Sequence, residues 1–440
     1  MKLAILCACV ILLAATTCPA EVEYDAYGGA KAVQGQAQGR FTLQKVGERW
    51  WLMTPDGHGF VSLGIAHILQ GIQQPLFKDK YNSSQADFLA DVAKNMKAWG
   101  FNSAGYGCSN KANLEIAKHL PFMISIEVLF TNHWRATDFH YDDVFDPDWQ
   151  TKAAAEIAAF CKPAKDQKNL IGYYTTDAPT WTLRKARKGQ PDWLGFYRAL
   201  PAKSPGKAKY VEFLVQRLGA VDAVTKRYKV TADSADALKA LTDWPLDAAN
   251  AEILADDEAF LALIAKEYYG VCHAAIRKND PDHLYFGDRY FDTDIPEVVL
   301  REALPFLDGV AIQPNDKGKF NRELFDKVYT AAKKPILICD WAVNFPTPEN
   351  PKVMWGAFDT EDLAADAYDA YLKAAFATPY LLGIHRCTYI DLPRPTVLKQ
   401  GLIRQNGTPY ETTVKRYTEI HRQLYERVYS SPVPNADPTR

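Results

Sequence analysis

Short apolar runs ending in polar or charged residues recur along this chain, with amphipathic stretches between them. Residues 60–67, 101–106, 122–128, 171–174, 283–290, 308–315, 335–340 and 381–386 are rich in Val, Ile, Leu, Phe and Tyr and are four to eight residues long. Such runs read as strands buried on both faces. Residues 87–99, 149–160, 210–226, 257–277, 321–333, 360–377 and 412–429 carry apolar residues at helical spacing, and 114–119 is a shorter helical piece. Gly100 is a natural stop for the first of these helices. Strands alternating with helices predict an α/β fold, here a (β/α)8 barrel. Ahead of it, residues 40–60 read as a small β-hairpin turning at Val46-Gly47, with a second turn at Pro55-Asp56-Gly57. Residues 182–256 form a long insertion after strand 4. Its first part, 182–205, is rich in turn formers and reads as a loop over the barrel mouth. Residues 21–430 then make one domain, and 431–440 a frayed tail.

The first twenty residues stand apart from this pattern. Lys2 precedes an apolar run over 3–15, and Cys18-Pro19-Ala20 is a small-residue cleavage pattern. This predicts a secretory signal and a secreted or periplasmic protein, with no membrane partner after cleavage. Thr16-Thr17 ahead of Cys18 is a poor match to a lipoprotein signal. The remaining cysteines, Cys108, Cys161, Cys272, Cys339 and Cys387, are odd in number and widely spaced. That excludes a disulfide framework or a zinc motif, and predicts buried thiols with room for one disulfide at most.

Composition changes the picture little. Hydrophobic residues at 48% supply a large core, and a net charge of −2 gives no nucleic-acid or polybasic membrane signature. The basic run Arg184, Lys185, Arg187, Lys188 and Lys203 fits either a solvated face or steering of an anionic substrate.

In a barrel of this kind chemistry gathers at the carboxyl ends of the strands. Those ends offer His67, Tyr106, Glu127, Asp177, Arg289, Gln313, Asn315, Asp340, Trp341, His385 and Arg386. Two strands each lead straight into one aspartate, at Asp177 and Asp340. Cleavage of a glycosidic bond needs one carboxylic acid to protonate the leaving oxygen and a second carboxylate to attack or to activate water. Asp177 and Asp340 are therefore the candidate catalytic pair, and the other nine are candidate substrate-binding residues. The competing reading makes each Asp a structural partner of Arg289 or Arg386. No His-x-His or His-Glu-x-x-His spacing predicts a metal, no glycine-rich motif predicts a nucleotide cofactor, and no Gly-x-Ser-x-Gly elbow is present.

The chain also resembles a known family. Residues 50–64 (WWLMTPDGHGFVSLG), 99–103 (WGFNS), Gly172-Tyr173-Tyr174, 280–290 (DPDHLYFGDRY), 399–403 (KQGLI) and 407–410 (GTPY) look like the agarase-like branch of retaining glycoside hydrolases. The resemblance spans Arg40 to Arg427. It implies a (β/α)8 barrel and hydrolysis of β-linked galactans of marine algae, a polysaccharide or oligosaccharide as substrate. It also implies a divergent site. The family carries Asn-Glu after strand 4, where this chain reads Thr176-Asp177-Ala178, and a Glu nucleophile after strand 7, where Asp340 stands. Strand 8 usually ends in His-Trp, and here it ends in His385-Arg386. A guanidinium in that place implies a sulfated or otherwise anionic galactan. Two other readings stay open: a non-catalytic carbohydrate-binding barrel, and a polysaccharide lyase using Tyr106 or His67 as base near Arg386.

Overall fold

A computed structural model describes residues 22–111, 114–135, 137–245, 249–353, 356–392 and 401–430. The expected signal and tail lie outside these residues, as do Lys399 and Gln400 of the 399–403 motif.

The chain opens with four strands, β1 (Ala30–Gln34), β2 (Thr42–Val46), β3 (Arg49–Met53) and β4 (His58–Phe60), in an antiparallel sheet of order β1-β4-β3-β2. The expected hairpin is β2–β3, turning at Gly47 with φ 59°. The pairing of β1 with β4 was not legible in the sequence. This sheet faces one end of a nine-stranded parallel sheet: Phe41, Leu52 and Phe60 share a core with Met123, Ile171, Leu337 and Leu382. Arg49 clamps it there, donating to the carbonyl oxygens of Phe376, Thr378 and Leu381.

The alternating part follows. Strand β5 (Ser62–Ala66) leads to α1 (Pro75–Tyr81) and α2 (Gln85–Ala98). Helix α2 starts where Ser84 Oγ accepts from Asp87 N, and buries Phe88, Leu89, Val92, Ala93 and Met96 along one face. It stops at Gly100, whose φ of 79° lets Phe101 N reach back to Met96 O at 2.8 Å. Next come β6 (Ser103–Ala104), β7 (Phe122–Ser125), α3 (Pro147–Ala164) and β8 (Leu170–Tyr174). Residues 114–119 form only a 3-10 turn, Glu115–Lys118.

The insertion is more helical than expected: α4 (Trp193–Ala199), α5 (Pro205–Leu218), α6 (Val221–Tyr228) and α7 (Ala235–Ala240) precede α8 (Ala251–Asn279). The stretch 182–205 is not all loop, because Asp192 caps α4 through Gly195 N at 2.8 Å. The single helix expected over 210–226 is broken at Gly219, φ 88°. Two of the basic residues are tied down, Arg184 to Asp257 at 3.0 Å and Arg187 to Asp294 at 3.7 Å.

The second half contains β9 (Leu284–Tyr285), β10 (Arg289–Phe291), α9 (Glu297–Ala303), β11 (Val310–Gln313), α10 (Arg322–Ala332) and β12 (Ile336–Trp341). A small ladder of β13 (Val343–Asn344) and β14 (Gly356–Ala357) precedes α11 (Glu361–Phe376), β15 (Leu381–Cys387) and α12 (Glu411–Ser430). The nine-stranded sheet runs β10-β11-β12-β15-β5-β6-β7-β8-β9, and every pairing in it is parallel. Its two edges, β9 and β10, are successive pieces of the run expected to be one fifth strand. Gly287, φ 70°, interrupts that run. Counted as one interrupted strand, they give eight parallel strands. Cys108, Cys161, Cys272, Cys339 and Cys387 are all free and buried. Among the described residues, no helix is long and apolar enough to cross a membrane.

Candidate active site

The carboxyl ends of the parallel strands meet around one side chain. Arg289 opens β10, just past the Gly287 kink, and is fully buried. Its Nη2 donates to Asp340 Oδ2 at 2.8 Å, and its Nη1 lies 3.0 Å from Asp177 Oδ1, at ion-pair distance but without hydrogen-bond geometry. The guanidinium also lies over the Tyr106 ring, 3.7 Å from its centroid. Burial alone would drive off the charge of Arg289, but Asp177, Asp340 and Tyr106 outweigh it and hold the guanidinium firmly protonated. One buried cation thus joins the two aspartates singled out in the sequence.

Asp340 is presented by an irregularity in β12. Leu337 and Cys339 face the inner core, whereas Ile338 and Trp341 pack outward. Strict alternation would send Asp340 outward with Ile338. A register shift between Ile338 and Trp341 turns it in. His67 Nε2 meets its Oδ2 at 3.0 Å, and Gln70 Nε2 lies 3.2 Å from His67 Nδ1, which suits an imidazole donating from Nε2. His67 takes a left-handed φ of 59°. Burial pushes the Asp340 carboxyl up, but His67 and Arg289 pull harder and hold it below the ordinary carboxylate value. The Cys387 thiol also donates to this carboxyl, whose Oδ1 is buried.

Asp177 lies three residues past β8. Its Oδ1 accepts from Gln313 Nε2 at 2.6 Å and its Oδ2 from Trp134 Nε1 at 2.9 Å. Ala178, which follows it, is buried with a left-handed φ of 44°. Glu127, two residues past β7, completes the group. Its Oε1 accepts from Tyr106 Oη and its Oε2 from Asn132 Nδ2, both at 2.9 Å, and Asp177 N lies 3.4 Å from Oε2. Burial and the charge of Asp177 push the Glu127 carboxyl up to about 7, against the pull of Asn132 and Tyr106. Burial, Asp177 and Glu127 push the Tyr106 phenol well above its ordinary value, so it stays a neutral donor.

The structure therefore brings together His67, Tyr106, Glu127, Asp177, Arg289, Gln313 and Asp340. The other four expected residues stand elsewhere. Trp341 is withdrawn into the wall, stacked on Tyr371 at 3.8 Å with its Nε1 on Asp316, and offers no sugar platform. Asn315 is exposed, tied by its backbone N–H to Asp292. His385 is fully buried below the carboxylates on Ser62 Oγ at 2.9 Å, where burial and Arg289 push it down to about 3. Its ring occupies space left by two glycines: a Cβ at Gly64 or Gly105 would stand 2.5 Å from it. Arg386, next along β15, points the opposite way and donates to the carbonyls of Cys387 and Thr388 and to Asn344 Oδ1. The expectation that Arg386 greets an anionic sugar is therefore corrected: adjacent strand residues face opposite sides.

Two residues escaped the sequence reading. Asn132 and Trp134 sit on the loop after β7, and Trp134 is 51% exposed beside Asp177. The polar stretch Thr131-Asn132-His133-Trp134-Arg135 was the available signal, since a large aromatic in a polar loop has no core to serve. His67, Asp340 and Cys387 also place one potential metal-ligand atom each within 4.8 Å of one another. The donor set fits a cation poorly: Arg289 already occupies Asp340 Oδ2, and burial and Asp340 keep the Cys387 thiol protonated.

Comparison with known proteins agrees with the fold. No family profile matches the chain. Beta-agarase B of Vibrio sp. (strain JT0107) is 22% identical over 236 residues, 51% of this chain. The match spans 24% of that relative's length, so the chain accounts for only part of it. Among solved structures, an agarase, AgWH50C, superposes with a TM-score of 0.78 at 18% identity, over 92% of this chain and 68% of the other. An exo-beta-agarase superposes with a TM-score of 0.78 at 17% identity over the same shares. In sequence over half its length, and in fold over nearly all of it, the chain is agarase-like.

Proposed function

We propose that the chain is a secreted (β/α)8 glycoside hydrolase that cleaves an agar-type galactan with carboxylates at the strand ends. The observation that carries this reading is the convergence of Glu127, Asp177 and Asp340 from three strand ends around Arg289, beside the exposed Trp134. Three acidic groups in one buried polar cluster are more than a fold needs, and perturbed carboxylates of this kind gather at catalytic centres. Asp340, held ionised by His67 and Arg289, suits the carboxylate that attacks the anomeric carbon or activates water there. Trp134 supplies an indole face beside the carboxylates, against which a pyranose can lie.

The lyase reading loses its support, because Tyr106 donates to Glu127, His67 to Asp340, and Arg386 faces away. The case for a sulfated substrate rested on Arg386 and weakens with it. Incubation with agarose and with its sulfated counterparts tests the assignment. Hydrolysis yields reducing ends without absorbance of an unsaturated sugar. Absorbance would establish a lyase, and retained binding without cleavage a lectin-like barrel.

A further inference from the structure

A two-carboxylate mechanism needs a group that carries a proton in the resting site. The strand-end aspartates are poorly arranged for that. Every side chain that meets the carboxylate oxygens of Asp177 is a donor: Arg289, Gln313 and Trp134. Asp340 Oδ2 is shared between Arg289 and His67. Both therefore act as acceptors and both touch the same cation.

Glu127 also accepts hydrogen bonds, from Tyr106, Asn132 and Asp177 N, but every one of these donors is neutral. Among the described residues it has no ion-pair partner. Two neutral groups from separate elements hold it, Tyr106 past β6 and Asn132 on the loop past β7. The groups that face it are Tyr106, Asn132 and Asp177, with Arg289 behind Tyr106 and Asp177, and Arg135 reaching it only through Asn132 Oδ1. It is only half-buried, and Asn132, which holds it, lies two residues before the exposed Trp134.

We propose that Glu127, rather than Asp177, is the proton donor to the departing glycosidic oxygen, and that Asp177 is a positioning residue whose charge keeps that proton in place. The inference rests on the hydrolase reading above. The glycosidic C–O bond breaks with its electron pair going to the leaving oxygen, which takes the proton of Glu127. Water then delivers its hydroxyl to the anomeric carbon and its remaining proton restores the acid, so one water is consumed per bond. The near-neutral titration of Glu127 accords with this role.

Two substrates separate donor from scaffold. Glu127→Gln is expected to cleave the natural galactan at least a hundredfold more slowly than wild type, the usual worth of a general acid. On a galactoside with a dinitrophenolate leaving group, which departs unprotonated, the loss is expected to shrink to within about tenfold, and the alkaline limb of the pH profile is expected to vanish. Asp177→Asn is expected to shift that limb instead of removing it. Equal losses of Glu127→Gln on both substrates, or the leaving-group signature in Asp177→Asn instead, would overturn the inference while leaving the hydrolase reading intact. Wild type inactive on every galactan would overturn both. Thermal unfolding gives a readout free of activity. A carboxyl that keeps its proton up to about pH 7 in the fold destabilises the fold once ionised, so Glu127→Gln is expected to gain more on wild type at pH 8 than at pH 5. No such difference would count against the proton on Glu127.

Discussion

Asp177 and Asp340 are held by opposite terminal nitrogens of one buried guanidinium, that of Arg289. This is the pairing that the structural reading of these aspartates expects, and the catalytic role of Asp340 belongs to the proposal above. Removing one partner of a buried ionic cluster leaves uncompensated charge, which costs about 3–5 kcal/mol. Arg289→Met is accordingly expected to lower unfolding stability by that order in a denaturant titration. Stability within about 0.5 kcal/mol of wild type, the range for an ordinary surface change, would show that the pairs contribute nothing.

His67 sets the acid side of the profile. It lowers the titration of Asp340, as does Arg289. The stabilisation tied to a depressed carboxyl is present above its unfolded value and is lost as pH falls through its folded value. His67→Ala is expected to raise the Asp340 titration, moving the acid limb of kcat/KM to higher pH and bringing acid unfolding at higher pH. His67→Gln, which can still donate a hydrogen bond, is expected to restore part of both. Unchanged acid limbs in both variants would remove His67 from the site.

Trp134 bears mainly on binding. The residue is 51% exposed; among the described residues its indole N–H donates to Asp177 and the Arg135 guanidinium lies over its ring, 5.0 Å from the centroid. Trp134→Ala is expected to cost no more than about 1–3 kcal/mol of unfolding stability, the loss of one donor to Asp177. Loss of a sugar platform worth about 1.4 kcal/mol corresponds to a tenfold rise in KM. An unaltered KM on polysaccharide would mean that the substrate does not reach this ring.

Arg386 gives the opposite pattern. It is buried and donates to the carbonyls of Cys387 and Thr388 and to the amide oxygen of Asn344. Arg386→Met is expected to destabilise the protein, since buried acceptors lose their donor at about 1–3 kcal/mol each. The ratio of activity on sulfated and desulfated substrate is expected to stay constant. A change in that ratio would return Arg386 to the substrate side.

The contrast between His385 and Arg386 shows what sequence can and cannot convey. Each is polar at the end of an apolar run, so each was a fair candidate. Alternation along β15 forbids both from facing one cleft, and this constraint was available in the sequence without any coordinates. The case of Asp340 is the reverse: strict alternation would have turned it away, and only the irregularity in β12 brings it in. The strand runs themselves were legible because buried parallel strands are apolar throughout. The break of the fifth strand hinged on Gly287 taking a positive φ, which a single glycine in an apolar run does not announce. Glu127 was visible as a strand-end acid, but its distinction from Asp177 lies in which cation each one meets. That depends on Arg289, more than a hundred residues further along the chain.

The most direct test follows from Asp340. Wild type and Asp340→Asn, matched for fold by circular dichroism, would be incubated with agarose while new reducing ends are counted. Wild type is expected to release them steadily, and the variant to fall by roughly a thousandfold or more, the scale of losing an essential carboxylate. Folded Asp340→Asn protein that releases reducing ends at the wild-type rate would contradict the account.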